Sequence, residues 1–225
     1  GTRIFEWDAR NQIAAIPVGT RRSEFTYDGL QRRVREVERE NRVVQRDTRV
    51  LWCDTEICEE RAADGATVTR RAFGFGEQIA GAARFFAADH LGSVREVADA
   101  SATLLGRYEF DPWGRHTVTV GTNVTTVGFT GHRREAISGL WLALYRAYDA
   151  ELGRWVSEDP LVFRSGSINH HNYVDNRPLI DLDPLGLFNV CCRPAAGCGC
   201  HCWIVLSDNH TLGAYRDGLT LTRRE

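Results

Sequence analysis

Two Asp-Pro steps, Asp159-Pro160 and Asp183-Pro184, carry residue types that suit acid–base chemistry on an amide. Peptide hydrolysis needs a base to take a proton from water and an acid to protonate the oxyanion or the leaving nitrogen. Two carboxyls held close cannot both ionise easily, so one keeps a proton and the pair supplies both functions near neutral or mildly acidic pH. Such a pair titrates as a unit, so neither member is given a separate role. Taken alone, each Asp-Pro step also reads as a turn, because Asp bonds its own downstream backbone and Pro presets φ. Asp175 and Asp181 are nearby carboxylates outside the Asp-Pro positions and rank below them.

A second cluster lies near the C-terminal end, where Cys191, Cys192, Cys198, Cys200 and Cys202 surround His201, with His210 beyond. Thiolates with one imidazole suit zinc. Disulfides suit an exported chain, and a thiolate beside His201 or His210 suits attack on an acyl group. The spacings lack paired Cys-x-x-Cys knuckles, so these three chemistries stay open beside plain structural thiols. Cys53 and Cys58 stand alone in the first half, and a total of seven cysteines implies no uniform disulfide framework.

The elements that must position these groups are strands. Four aromatic–Asp pairs recur, at Trp7-Asp8, Tyr27-Asp28, Phe110-Asp111 and Tyr148-Asp149. Phe5-Glu6-Trp7-Asp8, Phe25-Thr26-Tyr27-Asp28 and Tyr108-Glu109-Phe110-Asp111 share one grammar, aromatic-x-aromatic-Asp. Alternation puts both rings on one strand face, and the Asp then ends the strand by bonding its own downstream backbone. Val34–Val37, Val43–Val50, Thr67–Phe75 and His116–Val127 suit further strands, and helical periodicity is weak throughout apart from a short turn near Glu135–Leu144. The expected fold is mainly antiparallel β. Phe73-Gly74-Phe75-Gly76 has no helix after it, so phosphate binding there is not expected.

Charge narrows the function classes. The net charge of −2 predicts no general attraction to nucleic acid or membrane. Arg32-Arg33 and Arg133-Arg134 read as solvated strand faces paired with Glu rather than as phosphate-binding patches. No apolar run reaches the roughly 18 residues of a membrane span. With no Met and a start at Gly1, the chain reads as a mature or excised piece of a longer protein, and any export signal would lie upstream.

In the middle of the chain several blocks occur in a fixed order. Asp89-His90-Leu91-Gly92-Ser93-Val94-Arg95 precedes Tyr108–Arg115, then Phe129-Thr130-Gly131-His132, Gly139-Leu140 and Leu144-Tyr145-Arg146-Ala147-Tyr148-Asp149. Gly153-Arg154-Trp155-Val156-Ser157-Glu158-Asp159-Pro160, Asn172-Tyr173-Val174, Asn176-Arg177-Pro178 and Asp183-Pro184-Leu185-Gly186-Leu187 follow. Together they resemble the RHS repeat-associated core, over about residues 89–187, with weaker YD repeats over 1–88 and a variable C-terminal segment over 188–225. The sequence departs from that pattern at Asn-Arg-Pro and at Asp149-Ala150, neither of them a proposed catalytic position.

The resemblance implies a β-shell that encloses a toxin tail and frees it by aspartyl autoproteolysis. It implies Asp159 and Asp183 as the catalytic pair, Arg146 as a third functional residue, and Leu187-Phe188 as the scissile bond after Asp-Pro-Leu-Gly-Leu. Arg146 would orient a carboxylate or steady the tetrahedral intermediate. Its competing role is a structural ion pair, with Asp149 for example. The implied partners are the tail as cargo and substrate, a cognate immunity protein and secretion components. The implied location is secreted or at the cell surface, and the core needs no cofactor. A cell-surface or structural YD-repeat protein that does not cleave is the alternative. So is a tail acting alone as a cysteine-dependent enzyme or metal module.

Overall fold

The computed structural model describes residues 3–160 and 169–187 and, in the tail, the backbone of the segments 189–194, 200–205, 210–215 and 218–223. Twelve strands form one antiparallel meander in sequence order. They are β1 (Glu6–Trp7), β2 (Ile13–Val18), β3 (Arg21–Tyr27), β4 (Arg33–Glu40), β5 (Val43–Cys53), β6 (Glu56–Arg61), β7 (Val68–Phe73), β8 (Gly76–Ile79), β9 (Ala82–Ala88), β10 (Val94–Asp99), β11 (Leu104–Phe110) and β12 (His116–Gly121). The mainly antiparallel β expectation holds.

One turn device serves five of these hairpins. Asp8, Asp28, Asp89, Asp99 and Asp111 each accept, on a single carboxylate oxygen, the backbone N–H groups two and four residues downstream at 2.8–3.0 Å. The residue three places after each Asp has positive φ: Asn11, Gln31, Gly92, Ala102 and Gly114. The aromatic–Asp grammar thus marks turns as expected, but it finds only three of the five, since Asp89 and Asp99 each follow an Ala. The hairpin of β5 and β6 is closed instead by a Cys53–Cys58 disulfide.

The sheet's buried side is partly ionic. Arg133 donates to Glu36 and, at 3.1 Å, to Glu60, which also pairs with Arg70 at 3.3 Å and Arg46 at 3.2 Å. Arg70 reaches Glu77 at 2.5 Å, and burial pushes Arg133 down to about 9. The expectation of Glu pairing holds for Arg133, but solvation fails. Arg33 and Arg133 are both buried, and Arg33 donates to the Ala143 carbonyl, because the sheet curls over the segment after residue 128.

That segment forms a small sheet of β13 (Arg133–Arg134), β14 (Trp141–Leu142), β15 (Ala147–Asp149) and β16 (Arg154–Trp155). Its core is aromatic: Phe129, Trp141, Tyr148, Trp155 and Tyr173 pack together, with Tyr148 and Tyr173 ring centroids 4.3 Å apart. Leu140, Leu142 and Ala147 join Ile13 and Ile16 of β2, which locks the small sheet to the start of the meander. Glu135–Leu144 holds a short turn, as expected, and then strand β14. The Glu135 carboxylate accepts the N–H groups of Ile137 and Ser138, and Gly139 at φ 77° bonds back to the Glu135 carbonyl. Those bonds satisfy the backbone of the turn locally.

Finally β17 (Asp181–Leu182) pairs antiparallel with β18 (Asn189–Pro194), which continues through β19 (Cys200–Val205), β20 (His210–Tyr215) and β21 (Gly218–Arg223). Two registered pairs, Asp181↔Cys191 and Leu182↔Val190, join β17 to β18. Residues 183–187 therefore lie in the loop of a hairpin. No helix among the described residues is long and apolar enough to cross a membrane.

Candidate active site

Three segments converge on Arg146. It sits in the tight turn between β14 and β15, closed by Ala143 N–H to the Arg146 carbonyl at 3.0 Å. That turn is pinned to the hairpin loop by Tyr145 N–H to the Leu185 carbonyl, also at 3.0 Å. Asp159 follows β16, and its N–H donates to the His170 carbonyl at 3.1 Å, which ties it to the returning chain. Asp183 leaves β17 at the loop's first position.

One guanidinium nitrogen, Arg146 Nη2, lies 3.1 Å from Asp159 Oδ2 and 3.0 Å from Asp183 Oδ2. Arg146 Nε donates to the Gly186 carbonyl at 2.5 Å, and Nη1 donates to the His170 carbonyl at 3.4 Å. The guanidinium lies 4.4 Å from the Trp155 ring centroid, so an aromatic face holds it flat. Arg146 is 4% exposed, Asp159 8% and Asp183 1%. Burial pushes the Arg146 guanidinium down, and the adjacent Asp183 and Asp159 oppose that shift. Arginine stays charged even so, because its ordinary value is above 12.

Asp183 also shapes the loop it begins. Its Oδ1 accepts the N–H groups of Gly186 and Leu187, both at 2.9 Å. Gly186 has φ 75°, and a Cβ there would lie 3.1 Å from the Arg146 Cβ and 3.2 Å from the Ala143 Cβ. The close approach and the left-handed backbone both require glycine. The Leu187 amide nitrogen is thus fixed one residue before the expected scissile bond. An open cleft of about 650 Å³, lined in part by Thr130, His132, Pro184 and Leu185, reaches the loop.

All three expected side chains, Asp159, Asp183 and Arg146, therefore meet, and Leu187 joins them. Asp149, the example partner for a structural ion pair of Arg146, pairs with Arg3 at 2.6 Å instead. Asp181 faces Arg177 at 3.6 Å, and Asp175 is exposed and bonded by Asn172 at 3.3 Å, so neither joins the site. Phe188 and Cys198 lie outside the described residues, as do the side chains of Cys191, Cys192, Cys200, His201 and Cys202 and that of His210. Among the described residues no group of three or more His, Cys, Asp or Glu is placed to hold a metal.

The residue the sequence reading passed over is His132. Its Nε2 lies 3.0 Å from the Asp183 carbonyl oxygen and its Nδ1 2.8 Å from Thr130 Oγ1. It stood within a quoted block, but nothing local in sequence links it to a residue 51 positions away.

Comparison with known proteins agrees with the architecture. The Teneurin YD-shell family pattern matches residues 2–173. Toxin protein Tse5 of Pseudomonas aeruginosa is 33% identical over 103 residues, covering 46% of this chain and 8% of that protein. The tRNA3(Ser)-specific nuclease WapA of Bacillus spizizenii is 23% identical over 203 residues, covering 83% of this chain and 8% of that protein. A crystal structure of a TcdB2-TccC3-Cdc42 complex superposes with a TM-score of 0.64 at 21% identity, covering 82% of this chain and 10% of the matched chain. The chain thus spans less than a tenth of the length of these curated relatives. With the repeated Asp-capped hairpins and the match over residues 2–173, the chain belongs to the Teneurin YD-shell family.

Proposed function

We propose that this chain is the C-terminal part of a toxin's β-shell and that it cuts its own backbone between Leu187 and Phe188. One observation carries the reading. A single arginine holds two buried aspartates, and one of those aspartates grips the Leu187 N–H beside the bond to be cut.

In this reading a water entering by the cleft adds to the Leu187 carbonyl carbon. The Asp159–Asp183 pair takes its proton and protonates the departing Phe188 nitrogen, so the C–N bond breaks to a Leu187 carboxylate and a free amine. Arg146 offsets the charge of the carboxylates and of the tetrahedral oxyanion. Because substrate and catalyst share one chain, positioning supplies much of the rate and one turnover is enough. After cleavage, the two registered pairs between β17 and β18 would, among the described residues, still tie the tail to the core. The tail is the cargo. The location is secreted or at the cell surface, and an immunity protein and secretion components are the partners. Two curated relatives, named as a toxin and a tRNA nuclease, favour a toxin cargo.

The test is intact mass under denaturing conditions for the wild type, Asp159→Asn and Asp183→Asn. Two fragments split after Leu187 in the wild type, with one intact chain in each variant, are expected. A single 225-residue mass in all three would overturn self-cleavage and leave a non-cleaving structural shell.

A further inference from the structure

His132 is buried, and besides the nearby Phe129 and Pro184 backbone its two ring nitrogens meet polar partners of opposite kind. The Asp183 carbonyl can only accept, so Nε2 carries the hydrogen and donates to it at 3.0 Å. In the neutral ring Nδ1 must then accept, and Thr130 Oγ1 donates to it at 2.8 Å. Thr130 is held in turn. Its N–H donates to Ser93 Oγ at 3.0 Å, and its hydroxyl lies 3.4 Å from the Tyr173 hydroxyl. The His132 ring also meets Trp155 edge-on, at 6.1 Å between centroids, and the Arg146 guanidinium lies over the same Trp155 ring.

Asp183 is thereby fixed at three places by three parts of the chain. Arg146 takes Oδ2, the loop's own N–H groups take Oδ1, and His132 takes the backbone carbonyl. A buried histidine in an aromatic core usually satisfies itself on whatever carbonyl is near. This one is spent on the residue whose side chain sets the loop, and the Thr130 hydroxyl on its other nitrogen belongs to a residue whose backbone N–H is held by Ser93 at the β9–β10 turn.

We propose that His132 is a positioning residue of the self-cleaving site: its Nε2–H holds the Asp183 peptide so that the carboxylate faces Arg146 and the Leu187 N–H together. The inference rests on the self-cleavage reading for its consequence, but not for its geometry. Thr130 is the second positioning residue, because its hydroxyl fills Nδ1 and so supports the tautomer that donates from Nε2 to the Asp183 carbonyl.

The experiment compares His132→Gln, which keeps an N–H at similar reach, with His132→Phe, which keeps a ring and loses both nitrogens. Cleavage of freshly translated full-length chain is followed by intact mass. Misplacing a reacting group by about 1 Å costs about 100-fold, so His132→Phe is expected to slow cleavage on that scale while His132→Gln restores most of it. A second readout does not depend on cleavage. In full-length Asp159→Asn chains, amide hydrogen exchange at Gly186 and Leu187 is expected to speed up about tenfold or more with His132→Phe and to stay protected with His132→Gln, while Val97 in β10 is unchanged. Unchanged exchange at Gly186 and Leu187 in His132→Phe would overturn the proposal. So would equal losses in the Gln and Phe variants that track melting temperature. If wild type never cleaves, the self-cleavage reading fails, and the exchange measurement still decides whether His132 positions the loop.

Discussion

The repeat sheet and the core use the same carboxylate device in different surroundings. In the meander, Asp8, Asp28, Asp89, Asp99 and Asp111 bind downstream N–H groups with one oxygen at hairpin turns, in exposed or half-buried positions. In the core, Asp183 does likewise with Gly186 and Leu187, but its second oxygen meets a buried arginine and its carbonyl a buried histidine. Asp28, Asp89 and Asp111 also carry an arginine on their second oxygen, so the cation is common to both regions and the burial of Asp183 and Arg146 is what sets the core turn apart. The repeat fold thus supplies the loop geometry, and the aromatic core supplies the environment.

That contrast is broken most severely at Arg146. Removing one partner of a buried ion pair leaves uncompensated charge and costs about 3–5 kcal/mol. Arg146→Met is therefore expected to abolish cleavage and to lower stability on that scale, read by denaturant titration of the Asp159→Asn chain with and without the change. Arg22→Met, at a half-exposed ion pair with Glu6 in the repeat sheet, is expected to cost under about 1 kcal/mol. Equal costs would erase the distinction between the regions.

Acid sharpens it next. Burial pushes His132 down to about 4 from 6.5, against the opposing bond to the Asp183 carbonyl. Arg33, Asp183 and, through Thr130, the Tyr173 hydroxyl are the titratable groups around it. Between pH 6.5 and 4 the unfolded chain binds the proton and the folded chain does not, so stability is full above that window and falls as pH drops through it. A shift of that size is worth about 3 kcal/mol. In the repeat sheet, Asp64 is held at about 2 by its bonds to Thr67 and Ala66, so its contribution is lost only below its ordinary 3.8. Stability measured from pH 7 to pH 4.5 is expected to fall in the wild type and to fall less in His132→Gln. A flat wild-type profile would mean that His132 is not held neutral by folding.

Gly186 comes third. Alanine there meets a left-handed backbone at φ 75° and two Cβ contacts at 3.1–3.2 Å, against an open turn position such as Gly19, with no neighbour within 4 Å. A non-glycine residue in this region costs about 1–3 kcal/mol. Gly186→Ala should sit near the upper end with slowed cleavage, and Gly19→Ala near the lower end with none, both read by denaturant midpoint and intact mass.

How much of this was legible depends on the range of each interaction. Aromatic–Asp grammar exposed three of the five hairpin caps, because those bonds run only two and four residues along the chain. Asp99 was missed since Ala98 precedes it and the signal sat in the turn alone. Asp159, Asp183 and Arg146 were found as members of ordered blocks, whereas spacing by itself gave only two turns. His132 and Trp155 stayed hidden: their roles arise where the chain returns on itself, and neither residue's type announces a partner. Arg33 and Arg133 misled for the same reason, as paired arginines in a strand look solvated until another sheet covers them.

The smallest effect belongs to the plain turn caps, and it tests whether they are plain. Asp99 bonds the N–H groups of Ser101 and Thr103 at 2.8 and 2.9 Å, and those bonds involve exposed groups at the β10–β11 turn. Losing such a local cap costs about 1 kcal/mol, as at helix N-termini, where the same carboxylate-to-amide bonds are removed. Asp99→Ala is expected to lower stability by about that much and to leave the cleavage half-time unchanged. Water can satisfy the freed amides of an exposed turn, whereas the amides of Gly186 and Leu187 have a buried carboxylate as their partner. Should Asp99→Ala slow cleavage as well, the repeat sheet would be transmitting strain to the Asp183 loop. The core would then depend on the closure of the hairpins around it as well as on its own three-point hold.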